Sequence, residues 1–253
     1  MLFTVKHRIS YSYDHPVFPE PHTIRMRPRS DVQQRLVSFA MQITPDAAGY
    51  TENVDISGGS ATFAWFDGMT SSLIFEATSV VETTRENPFD FILPDALHNQ
   101  LPLSYSDNVQ KELAPFLTPI TIGPLTHALI EEGRSAVNND TLVFPTWLVE
   151  QIRSRVEHTT RHDTGLLDSE TVLQTGKGAC RDAAALFVTA CRSVGIAARF
   201  VSGYQASDNE EERRELHGWA EIYLPGGGWR SYDPAAGIAC GAEYIVITSK
   251  TMM

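Results

Sequence analysis

Cys180, His217 and Asp233, in that order, have the types and settings for nucleophilic chemistry. Cys180 stands in GKGACRDAAALFVTACRSVGIAARFVSGY, residues 176–204, where the periodicity predicts that it opens a helix. A thiol at a helix N-terminus is made more acidic by the helix dipole and by backbone N–H groups that lack intrahelical partners. An imidazole to take its proton and a carboxylate to orient that imidazole would complete a nucleophilic triad. His217 opens LHGWAEIYL (216–224), and Asp233 closes GWRSYDP (228–234). Residues 216–224 and 229–233 read as two strands joined by the tight turn Pro225–Gly226–Gly227–Gly228. With that turn centred near 225–226, the hairpin partner of His217 falls at about 233–235, and opposed side chains share a face. Asp233 is therefore expected beside His217.

These residues need a scaffold. Ala183, Ala184, Phe187, Ala190, Cys191 and Val194 recur at three- and four-residue intervals, and Gly195 supplies a stop just past the helix. Strand-like segments follow at 196–204, 216–224 and 229–233. Between the first two lies DNEEERRE (208–215), seven of whose eight residues are charged. It reads as a solvated loop, placed where it could also border the site and select substrates. Upstream, a helix is expected from Ser106–Asp107 to about Ala114, where Pro115 intrudes. A second helix is expected at 124–136, with Pro124 at its first position, and a third at 146–158, with Leu148, Ile152 and Val156 spaced four apart. Residues 1–85 read as an antiparallel sheet layer, from the alternation of Phe3, Val5, Ile9, Tyr11 and Tyr13 and of Val37, Phe39, Met41 and Ile43. Phe63 with Trp65, then Leu73, Phe75 and Ala77, continue it, with Gly58–Gly59 and Asp67–Gly68 as turns. Residues 86–104, rich in Pro, Asn and Asp, read as a connector.

The 253 residues suit one large domain or two smaller ones, and 42% hydrophobic content is enough for a real core. A net charge of −11 without a basic run argues against nucleic acid or an anionic membrane as partner. No stretch approaches the roughly 18–20 apolar residues of a membrane span, and the N-terminus lacks an apolar signal core. Three unevenly spaced cysteines do not make a disulfide framework, so a reduced, cytoplasmic protein is expected.

GKGACRDAAALFVTACRSVGIAARFVSGY, followed by HGWAEIYLPGGGWRSYDPAAG, resembles the bacterial transglutaminase-like family, one of the papain-like cysteine enzymes. YSYDHPVFPEPHTIRMRPRSDVQQRLVSF resembles the β-domain that precedes the core in many bacterial members. The resemblance implies an α+β architecture: a β-rich domain over 1–95, then a papain-like core over 105–253 in which the helix bearing the Cys packs on an antiparallel sheet bearing His and Asp. It implies a nucleophile in Gly178–Ala179–Cys180, a histidine in His217–Gly218–Trp219 and an acid in Asp233–Pro234. Members commonly continue with further β-structure, where this chain stops at ITSKTMM. No cofactor or metal is implied, and no acidic loop of calcium-binding form is visible.

Each candidate has a plainer rival. Cys180 could be a buried structural thiol, as Cys191 on the apolar face is expected to be; Cys240 reads as an ordinary thiol. His217 could be a polar strand residue, and Asp233 could simply begin the Asp–Pro turn. Gln174 is a candidate side-chain donor to an oxyanion, beside the backbone N–H of Cys180. Trp219 shares the face of His217 and either shields the imidazole–carboxylate bond or packs the core. Asp182 reads as a helix cap, and His158, His162 and Asp163 as solvated loop residues rather than zinc ligands. Three functions follow. They are hydrolysis of a peptide or protein amide through a thioester, transfer of that thioester to an amine, and a non-catalytic binding module on the same fold.

Overall fold

The structure, a computed structural model, describes residues 1–93, 99–206 and 215–251. Two compact units emerge from its chain trace: one of 1–86, 203–215 and 242–249, the other of 87–202, 216–241 and 250–253.

Alternation in the first 85 residues produces six strands: β1 (Leu2–Val17), β2 (His22–Ile24), β3 (Gln34–Thr44), β4 (Gly49–Val54), β5 (Ser60–Trp65) and β6 (Thr70–Thr83). They form two antiparallel three-stranded sheets, β1-β6-β3 and β2-β5-β4, rather than the one expected layer. A period of two specifies that a segment is a strand but not which sheet it joins. Asp55 makes the turn from β4 to β5, its carboxylate accepting from the N–H groups of Ser57 and Gly59. Ile24 and Ala64 from one sheet meet Ile43, Leu73 and Phe75 from the other in a shared apolar cluster.

The second unit begins with α1 (Asp107–Leu117), α2 (Pro124–Ala136) and α3 (Val143–Arg155). A short strand β7 (Glu157–His158), α4 (Ser169–Thr175), β8 (Lys177–Gly178) and α5 (Cys180–Ser193) come next. Then come β9 (Ala198–Gln205), whose last three residues count with the first unit, β10 (His217–Leu224), β11 (Gly228–Asp233) and β12 (Ile238–Ala239), and β13 (Tyr244–Lys250), which counts with the first unit up to Ser249; the strand order is β12-β11-β10-β9-β13. β13 is a strand formed from the segment ending ITSK. Of the expected helices, 124–136 is matched at both ends.

The others differ for identifiable reasons. α1 continues through Pro115 to Leu117: the proline lacks the N–H that would bond the Lys111 carbonyl, and both residues are exposed, where such a loss is tolerated. The third helix starts at Val143 rather than 146, since the Asp140 carboxylate caps the N–H groups of Leu142 and Val143 at 2.8 and 3.0 Å. It ends at Arg155 because residues 157–158 pair in parallel with Lys177–Gly178. α4 was not foreseen. Its seven residues are too few for a periodic signal, although the Asp168 cap and the left-handed Gly176 (φ 63°) bracket it. Of the charged loop 208–215, only Glu215 falls within the described residues. Among the described residues, no helix is long and apolar enough to cross a membrane.

Candidate active site

α5 is buried on all sides from Asp182 to Arg192, which explains why its apolar residues exceed one stripe. Ala183, Leu186, Phe187 and Ala190 join Ala220 and Ile222 of β10 in the main core of this unit. The N-terminus of the helix is fixed from two directions. The parallel pairing of β7 with β8, extended by Thr159 N–H to the Gly178 carbonyl (2.9 Å), holds the segment entering the helix. At the N-cap, extended Ala179 donates its N–H to Asp182 Oδ2 at 2.9 Å. Cys180 is thereby set at the first helical position, partly accessible.

β10 and β11 bring the other two residues to it. Their register pairs Ala220 with Tyr232 and Leu224 with Gly228. Continued one step, it sets Trp219, not His217, opposite Asp233. The turn is centred on residue 226, the late end of the expected range, so His217 falls opposite position 235 and meets Asp233 on the diagonal, within reach on the same face. His217 Nε2 and Asp233 Oδ2 are 2.6 Å apart, and Asp233 is wholly buried. The other carboxylate oxygen, Oδ1, accepts from the N–H groups of Ala235 (2.9 Å) and Ala236 (3.1 Å). The turn-starting and imidazole-facing readings of Asp233 thus hold together, one oxygen for each. With Nε2 engaged, Nδ1 is the ring nitrogen left to face the thiol, and Cys180 and His217 shift each other's titration.

Trp219 is wholly buried, its ring stacked on His217 at 6.0 Å between centroids and 27° between planes. Burial and stacking are what the core-packing reading requires, and they leave the ring lying against the imidazole. Gly218, between them, was passed over by sequence reasoning. A Cβ there would come within 2.8 Å of the Phe200 ring and 3.6 Å of the Arg181 Cα, and its backbone also bonds Cys180. A glycine inside a strand pattern is the signal that marks such an approach.

Burial pushes the Cys180 thiol up, but the hydrogen bond and charge of His217, with backbone bonds from Gly218 and Arg181, outweigh it and bring the thiol below its ordinary value. Burial pushes His217 down, while its bonds and charge interactions with Asp233 and Cys180 raise it to about 9. Both shifts favour the thiolate–imidazolium pair over the neutral pair, relative to the free groups. Cys191, on the same helix but wholly buried, is pushed well above the ordinary thiol range by burial alone.

The remaining candidates lie elsewhere. Gln174 is exposed on the last turn of α4 and makes no hydrogen bond to the trio among the described residues. Cys240 is buried. His158 and His162 are exposed and off any helix. Asp182 caps α5 as expected, and Arg161, which sequence reasoning missed, is its ionic partner at 2.6 Å.

A helix N-terminus bearing a thiol, packed on an antiparallel sheet whose adjacent strands carry a histidine and an aspartate, defines a papain-like fold of the transglutaminase type. Residues 137–234 match the transglutaminase-like superfamily and residues 3–82 the bacterial transglutaminase-like N-terminal region; the chain belongs to this family. An uncharacterized protein of Mycobacterium leprae is 26% identical over 96% of this chain and 86% of its own. Another, of Mycobacterium tuberculosis, is 24% identical over 97% of this chain and 82% of its own. Among solved structures, a protein of Cytophaga hutchinsonii, provisionally described as a cysteine protease, shares the fold. Its TM-score is 0.72 at 17% identity, over 99% of this chain and 84% of that one.

Proposed function

We propose that the protein is a cysteine-dependent amide hydrolase, acting on a peptide, protein or isopeptide bond. The observation that carries this reading is the 2.6 Å His217–Asp233 hydrogen bond together with Cys180 at the first position of α5, where the thiol is lowered and the imidazole raised. The Cys180 thiolate attacks the amide carbonyl carbon. The resulting oxyanion forms next to the start of α5, where the Cys180 N–H is the natural donor. His217, as imidazolium, gives its proton to the amine as the C–N bond breaks, leaving a thioester on Cys180. Neutral His217 then takes a proton from water; the hydroxide attacks the thioester, the acid leaves, and the thiolate–imidazolium pair is restored. Asp233 keeps the ring oriented and stabilises its charged form.

Transfer to an amine differs only in the acceptor. Among the described residues, Trp219 is buried behind His217 and Trp229 is taken up by packing, with the Arg199 guanidinium 3.9 Å from its ring centroid. Neither tryptophan therefore walls off a channel for an amine, and hydrolysis is the default wherever water reaches the thioester.

The test is alkylation by iodoacetamide as a function of pH, read for each cysteine by mass spectrometry, followed by a screen of amides with and without an added amine. Cys180 should react well below the ordinary thiol pKa of about 8.5 and lose that advantage in His217→Ala. If Cys180 reacts no faster than Cys191 and Cys240 do, the binding-module reading takes over.

A further inference from the structure

Asp182 is wholly buried, two residues past the nucleophile, and accepts three donors. Oδ2 takes the Ala179 N–H (2.9 Å) and Arg161 Nη1 (2.6 Å), and Oδ1 takes the Leu167 N–H (2.9 Å). Arg161 also grips Asp163, through Nε at 3.2 Å and a closer contact from Nη2. These two carboxylates are not equivalent. The Asp163 side chain is 60% exposed and screened by water, whereas that of Asp182 is 0% exposed and is not. Arg181 completes the arrangement by donating to the carbonyls of Gly165 (3.0 Å), Arg161 (3.3 Å) and Asp163 (2.8 Å). Residues 161–167 are thus strapped onto the first turn of α5 by two arginines.

A carboxylate in that turn has two opposite effects. It completes the N-cap and suits the helix dipole. Its negative charge also opposes a second one forming on Cys180, within the same turn and partly out of water. The charged groups around the first turn can be enumerated. His217 faces it from β10, with Asp233 behind on β11. Arg181 and Asp182 belong to α5, and Arg161 and Asp163 to the strap. Lys177 of β8 pairs with Glu157 at 3.9 Å, and Glu170 of α4 accepts from the N–H groups of Leu125 and Thr126 at the start of α2. Arg155 of α3 pairs with Glu132 of α2. Among the described residues, Arg161 is the cation that contacts Asp182.

We propose that Arg161 is a positioning residue for the nucleophile: it neutralises Asp182, so that this carboxylate can fix the helix start without opposing the Cys180 thiolate. The inference rests on the thiolate reading above, and it concerns reactivity rather than any particular substrate. Arg161 acts through Asp182.

The experiment measures the alkylation midpoint of Cys180 against pH in folded protein, with folding checked by circular dichroism. Arg161→Met should raise the midpoint by about one pH unit and slow alkylation at pH 7 about tenfold. Arg161→Gln, which keeps an N–H donor for Asp182 but not the charge, should do the same and serves if the Met variant does not fold. Arg161→Lys should stay close to wild type. Adding Asp182→Asn to Arg161→Met should return most of the shift, because the opposing charge has gone. An unmoved midpoint in a folded neutral variant, an equal shift in Arg161→Lys, or no recovery in the double variant overturns the proposal. A wild-type Cys180 midpoint at the ordinary thiol value would instead sink the hydrolase reading, a result distinct from any difference between variants.

Discussion

Cys180 and Cys191 lie on one helix, three turns apart, with opposite chemistry. At the N-terminus the thiol is partly accessible, and the imidazole and backbone N–H groups beside it lower its pKa despite its burial. In the interior the thiol belongs to the main apolar cluster, and burial raises it well beyond the ordinary range. Burial alone therefore does not decide whether a cysteine is inert. What decides is whether the buried sulfur has partners for its charged form.

The largest effect expected is on the two thiols themselves. Cys180→Ser should lower amide turnover by about 10³-fold or more, since a hydroxyl beside this imidazole is far harder to ionise. Cys191→Ala should leave turnover near wild type and cost about 1 kcal/mol of stability through the small cavity it opens. Steady-state kinetics and urea melts separate the two. If Cys191→Ala abolishes activity while the protein stays folded, the contrast between the thiols is wrong.

The pH dependence comes next. Activity should trace a bell whose falling limb lies near 9, where His217 loses its proton, and whose rising limb lies below the ordinary thiol value of 9.0. Stability follows the same groups. His217 is raised, so its contribution is complete below its unfolded value of 6.5 and is lost as pH climbs through about 9. Cys180 is lowered, so its contribution is present above its unfolded value of 9.0 and is lost as pH falls through its folded value. A kcat/KM profile and thermal melts across pH 5–10 check both signs. In His217→Ala the high-pH limb should disappear.

A smaller effect is expected from Gly218→Ala. Its methyl would meet the Phe200 ring at 2.8 Å, so that either the ring or the start of β10 must shift. A loss of about 1–3 kcal/mol is expected, with a rise in the Cys180 alkylation midpoint as the backbone bond to sulfur weakens. The smallest effect is that of Gln174→Ala. An exposed side chain should change kcat by less than about twofold, where a true oxyanion donor would cost about 10²–10³-fold. A large loss in this variant would return Gln174 to the site.

Much of the site was legible in the chain because its signals are local. The stripe ending at Gly195 sets α5, and the glycine run after Pro225 sets the hairpin, so Cys180, His217 and Asp233 could be placed without knowing anything distant. The same locality explains the errors. A turn centred on residue 226 rather than 225 puts Trp219 instead of His217 opposite Asp233, a difference that strand alternation cannot register because both residues share a face. The seven residues of α4 were too few to reveal a period, and the early start of α3 turned on one capping carboxylate, Asp140. Sorting six strands into two sheets depended on which apolar faces meet, and that is a long-range choice.

By itself, then, the sequence determined the helix that Cys180 opens, the hairpin bearing His217 and Asp233 and the apolar content of the core, because each is written in residues a few positions apart. Only the tertiary structure decided that Gly218 touches the helix start, that Trp219 lies flat on His217, and that Arg161 meets Asp182 across 21 residues of chain. Those contacts depend on how separate elements pack, and the electrostatic state of the thiol depends on all of them at once.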